Sequence, residues 1–151
     1  GGLIDQNKAL KMDKLEIEHR DKTLQDYFLG RIWDFNNEYL LKQKLVLERD
    51  KLMPDYPYIF DDEWEVETSL SNEGKGDLIF TDGNGKFAVV EVKFIGKTGN
   101  RRTKRRDVEQ QAERYALYLA HKLKDHLEVK GFFYTDEVDQ PKLMKTVVNL
   151  S

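Results

Sequence analysis

Apolar residues at Leu24, Phe28, Ile32, Phe35 and Tyr39 recur at spacings of three and four, the period that lines one face of an α-helix. The pattern sharpens at Asp21 and predicts one amphipathic helix to about residue 50, ended by Pro54 and Pro57. Residues 1–20 are polar and weakly helical, an N-terminal extension to a single domain over 21–151. The period then changes. Residues 65–70 (EVETSL), 77–81 (DLIFT) and 86–95 (KFAVVEVKFI) read as strands, and DGNG at 82–85 is a hairpin turn between the last two. Residues 96–106 (GKTGNRRTKRR) read as a loop. A second helix carries the stripe Val108, Ala112, Tyr115, Leu119 and Leu123, with Asp107 as its N-cap. Residues 129–135 and 144–150 are two further strands, with Pro141 between them. The order α-β-β-β-α-β-β predicts an α/β (α+β) fold. An antiparallel meander leads through a helical crossover into a parallel strand, giving a mixed sheet flanked by helices.

Composition narrows the class. The 151 residues suit one domain with a sizeable core, and 39% hydrophobic with 35% charged residues implies a polar surface. No apolar run approaches the length of a membrane span, and no apolar leader is visible near the N-terminus. Cysteine is absent, which excludes disulfides, thiolate zinc sites and cysteine-ligated iron–sulfur clusters. An intracellular protein is the expectation. A net charge of −3 argues against a protein that coats nucleic acid non-specifically. The charge is uneven, however: RRTKRR at 101–106 is the densest basic run, and DDEWEVE at 61–67 is acidic. A basic run is either a solvated segment or a phosphate grip, and its place relative to a site decides between them.

The chemistry concentrates in residues 74–94. Glu91 and Lys93 stand two apart on a strand and so share one face, while Val92 points to the other. Asp77 heads the preceding strand, and an antiparallel hairpin brings it close to Glu91. Converging carboxylates repel unless a cation lies between them, and paired carboxylate oxygens suit a hard ion such as Mg²⁺. A neighbouring lysine can position water or stabilise charge on a phosphate. A surface Glu–Lys pair on a half-exposed strand is the competing reading. Glu65 and Glu67 share a face but carry no assignment. GKT at 96–98 is no P-loop, because Glu91 stands where the leading glycine is needed. His19, His121 and His126 are too scattered to share a metal.

GKGDLIF, then Glu91-Val92-Lys93 after residues 78–90, resembles the D-x(n)-E-x-K core of the PD-(D/E)xK nuclease superfamily. Gln111 and Tyr115 resemble the QxxxY helix of its RecB-like branch. Gly76 stands where proline is frequent in the family. The resemblance covers about residues 24–150 and implies a restriction-endonuclease-like core. It also implies a Mg²⁺- or Mn²⁺-dependent nuclease that hydrolyses phosphodiester bonds in DNA, with RNA not excluded. Asp77, Glu91 and the Val92 backbone carbonyl would then hold the metal. Lys93 would assist the attacking water, and Gln111 would orient Lys93 or a phosphate. Glu38, on the first helix, is the candidate for a further acidic ligand. Arg101, Arg102, Lys104, Arg105 and Arg106, with Tyr115, are the candidate nucleic-acid contacts. The alternative is a catalytically inactive nuclease-like domain that binds nucleic acid or acts as a scaffold. A homodimer or a partner subunit is compatible with either reading, and no membrane partner is expected.

Overall fold

A computed structural model of the chain describes residues 13–31, 33–63, 76–123 and 126–149. Among the described residues three helices precede the sheet: α1 (Lys14–Gly30), α2 (Asn37–Leu47) and the single turn α3 (Arg49–Leu52). Strands β1 (Tyr58–Asp62), β2 (Leu78–Thr81) and β3 (Lys86–Lys93) follow. Helix α4 (Arg101–Lys122) then leads to β4 (Glu128–Thr135) and β5 (Lys142–Val148). The five strands lie in sequence order. β1, β2 and β3 form an antiparallel meander, β3 and β4 pair in parallel across α4, and β4 and β5 are antiparallel. The result is a mixed α+β fold with an open sheet flanked by helices.

Alternation along β3 explains both layers. Ala88, Val90 and Val92 pack with Leu78, Phe80 and the residues of α1 and α2, among them Phe28, Tyr39, Leu45 and Val46. Phe87 and Val89 pack with Ile79 and the α4 stripe of Tyr115, Ala116 and Leu119. A strand buried on both faces reads as an almost continuous apolar run. Its one fully buried charge, Glu91, therefore stands out. Helix α4 packs closely on β4 at Gly131, where an added Cβ would fall against the Ala112 carbonyl oxygen. The hairpin turn forms as the sequence predicts. Gly83 and Gly85 take positive φ, and the Asp82 carboxylate accepts from the Asn84 and Lys86 N–H groups.

Three features differ from the sequence expectation. First, the predicted continuous helix over 21–50 is broken after Gly30, and α1 instead begins at Lys14 and runs unbroken across residues 20 and 21. Asn36 restarts the chain as a cap, its side chain accepting from Glu38 and Tyr39 N–H. The break lets α2 fold back, so that Phe28 and Tyr39 stack with ring centroids 5.7 Å apart, while Phe35 is left exposed. Second, Tyr58–Asp62 is a strand where none was expected, and the expected strand over 65–70 lies outside the described residues. Third, RRTKRR is not a loop. Asn100 rather than Asp107 occupies the N-cap, and the basic residues form the first turns of α4. Among the described residues no helix is long and apolar enough to cross a membrane.

Candidate functional site

The β2–β3 ladder ends at Leu78↔Val90, and beyond it Asp77 and Glu91 hold the two strands together. The Asp77 N–H donates to Glu91 Oε2 at 3.2 Å, and the Val92 N–H donates to Asp77 Oδ2 at 2.8 Å. A strand residue's N–H and C=O point to the same edge. The Val92 carbonyl therefore faces the Asp77 side, past the end of β2. Asp77, Glu91 and this carbonyl make an all-oxygen donor set at one strand end, the chemistry that suits Mg²⁺ or Mn²⁺ retaining several waters. Among the described residues no group of three or more His, Asp or Glu side chains is arranged to hold a metal.

Both carboxyls hold protons unusually tightly. Burial pushes Asp77 up to about 6, against the counter-effects of Lys42 and the Val92 N–H, while Glu38 and Asp62 add to the rise. Glu91, only 2% exposed, is pushed well above the ordinary glutamate value, first by burial and then by the charge of Asp77. Two ionised carboxylates this close repel, and a cation relieves the repulsion.

Lys42 supplies one cation that the sequence reading did not identify. Its Nζ lies 2.7 Å from Asp62 Oδ1 and 3.9 Å from Asp77 Oδ1. The side chains of Lys42 and Asp62 are both nearly enclosed, at 10% and 9% exposure. Burial raises the Asp62 pKa and Lys42 opposes the rise. The legible signal was its place between Tyr39 and the Leu45–Val46 pair, inside the buried stripe of α2. One turn earlier on the same helix is Glu38, whose Oε1 sits 3.5 Å from Lys93 Nζ. Residues four apart share a helix face, so α2 presents Lys42 to Asp77 and Glu38 to Lys93. Glu38, Lys42 and Asp77, with Glu63, line a cleft of about 310 Å³. Glu63 takes a left-handed φ of 51° and donates its N–H to the Asp77 carbonyl at 2.7 Å, a strained turn at the cleft wall.

The remaining expected residues lie on α4. Gln111 is half-buried there. Tyr115 is 3% exposed within the helix–sheet core, so its ring has no face to offer a base, contrary to the expected nucleic-acid contact. The basic run is partly spoken for. Arg105 and Arg101 bind Glu137 at 2.6 and 2.7 Å and pull its carboxyl down to about 2, Arg105 foremost. Lys104 Nζ donates to the Ile95 carbonyl at 3.2 Å. Arg102 and Arg106 are exposed. A separate cleft of about 380 Å³ lies between α1 and β1. There Arg20 donates to the Phe60 carbonyl and covers its ring at 4.6 Å.

Compared with family models, with curated proteins and with solved structures, the chain matches none of them.

Proposed function

We propose that this chain is a metal-dependent phosphodiesterase acting on DNA, with a restriction-endonuclease-like core of the PD-(D/E)xK type. The observation that carries the reading is the Asp77–Glu91 pair at the open end of the β2–β3 hairpin. A buried glutamate and a partly exposed aspartate are locked together there by backbone hydrogen bonds, and Lys93 lies one strand step beyond.

In this reading Asp77, Glu91 and the Val92 carbonyl hold Mg²⁺ or Mn²⁺. When bound, the ion supplies Lewis-acid stabilisation of phosphate charge and a more acidic water. The protein's own groups do the rest. Lys93, 39% exposed, is free enough to reach a phosphate oxygen or a water, and Glu38 orients its ammonium at 3.5 Å. Asp77 and Glu91 are fixed by the strands rather than by flexible side-chain partners, so the centre is preorganised. Exposed Arg102 and Arg106 on the first turns of α4 contact the nucleic-acid backbone without reading sequence.

The test is cleavage of end-labelled single-stranded and duplex DNA, and of RNA, with Mg²⁺, Mn²⁺ or EDTA, by the wild type and Lys93→Met. Metal-dependent cuts that the variant loses, while it still binds Mn²⁺, support the reading. One observation favours the alternative of a binding or scaffold domain: Lys42 and Lys93 already compensate much of the acidic charge without a metal. That alternative predicts DNA retention without Mn²⁺ binding and without cleavage.

A further inference from the structure

We infer that Lys42 is a built-in cation that limits the acidic centre to a single divalent ion, held on the Glu91 side of Asp77. This rests on the metal-centre reading above and adds to it a stoichiometry and a residue that sets it.

Three carboxylates gather at this end of the sheet. Asp62 closes β1, Asp77 precedes β2, and Glu91 lies near the end of β3. The Lys42 ammonium sits between the first two, at 2.7 Å from Asp62 and 3.9 Å from Asp77. Its Nζ lies 5.9 Å from the Phe28 ring centre, and the side chain is almost wholly enclosed. Moving it away from Asp62 would leave a buried charge uncompensated, which is strongly unfavourable. Paired metal ions in hydrolytic centres stand about 3.5–4 Å apart. The Lys42 ammonium already occupies the Asp62–Asp77 side, where a second ion would have to lie. Glu91 meets Asp77 from the other direction, through the Asp77 N–H. Among the described residues a divalent ion therefore has one place to bind, and it binds against the repulsion of a fixed positive charge.

The experiment is Mn²⁺ binding followed by calorimetry and by electron paramagnetic resonance, on folded wild type, Lys42→Met and Lys42→Arg. The wild type and Lys42→Arg should each take up one ion. Lys42→Met should bind its first ion at least tenfold tighter and gain a second on Asp62 and Asp77. Removing the lysine leaves Asp62 unpaired, so the neutral pair Lys42→Met/Asp62→Asn serves if the single variant does not fold. It should bind one ion, again at least tenfold tighter than the wild type. Two ions in the wild type overturn the inference, and so does a Lys42→Met or double variant with wild-type affinity and stoichiometry. If neither the wild type nor any variant binds Mn²⁺, the metal-centre reading falls with it. A wild type that binds one ion as its variants do sinks only the role of Lys42.

Discussion

Replacing Asp77 by Asn should stabilise the metal-free protein at neutral and alkaline pH. The folded carboxyl titrates at about 6, against 3.8 for an ordinary aspartate. Between those values the folded chain holds a proton that the unfolded chain has released. Stability therefore falls as pH rises through that window and levels off above it. A rise of roughly two pH units, at about 1.4 kcal/mol each, puts the cost of the ionised Asp77 at up to about 3 kcal/mol. An amide oxygen still accepts from the Val92 N–H, so the bond that closes the hairpin end survives. Asp77→Asn also removes the charge that repels Glu91. The gain at pH 8 should be about 1–3 kcal/mol, or about 3–10 °C in melting temperature for a domain of this size. It should shrink towards zero at pH 4, where both forms are neutral. The assay is thermal unfolding by circular dichroism in EDTA across that pH range. A variant that melts below the wild type at pH 8, or a difference that does not vary with pH, would refute the buried-carboxylate argument.

Lys93→Met should keep Mn²⁺ affinity, by calorimetry, and lose about 100-fold or more in cleavage rate, because in the proposed reading the ammonium acts on water and phosphate. Glu38→Gln should leave the melting temperature nearly unchanged, since its pair with Lys93 is partly exposed. Cleavage should nonetheless fall by about 10–100-fold through lost orientation of Lys93. Arg102→Ser/Arg106→Ser should weaken DNA binding about equally across sequences. Salt-dependent anisotropy should show the log–log slope flattened by about 0.9 for each lost phosphate contact. Gly131→Ala should destabilise the fold by about 1–3 kcal/mol in urea unfolding, because its methyl meets the Ala112 carbonyl of α4.

The sheet was largely legible. Period-two runs, the DGNG turn and the helical stripe from Val108 to Leu119 located β2, β3, α4 and β4 within a residue or two at most ends. They also implied the β2–β3 hairpin and the parallel crossover. The helix break was not legible from periodicity. Phe35 continues the three-and-four spacing, yet it is 79% exposed. The contrary signals were local: Gly30, and Asn36 as a side-chain cap. RRTKRR looked like a loop because charge density outweighed the helix propensity of Arg and Lys. The Glu137 carboxylate that balances two of these residues lies more than thirty positions away. In the site, strand alternation and the hairpin were enough to bring Asp77 towards Glu91, because those rules are local. Lys42 was invisible to them. Its role depends on α2 folding back over the sheet, and that turns on the break at residues 31–36.

The central claim is that Asp77 and Glu91 form a metal centre, and the direct measurement is anomalous diffraction from a crystal soaked in Mn²⁺. The account predicts one strong peak about 2.0–2.3 Å from carboxylate oxygens of both Asp77 and Glu91, with the Val92 carbonyl in the same coordination shell. Its density should vanish in Asp77→Ala. No peak at the end of the β2–β3 hairpin, or a peak that persists in Asp77→Ala, would contradict it.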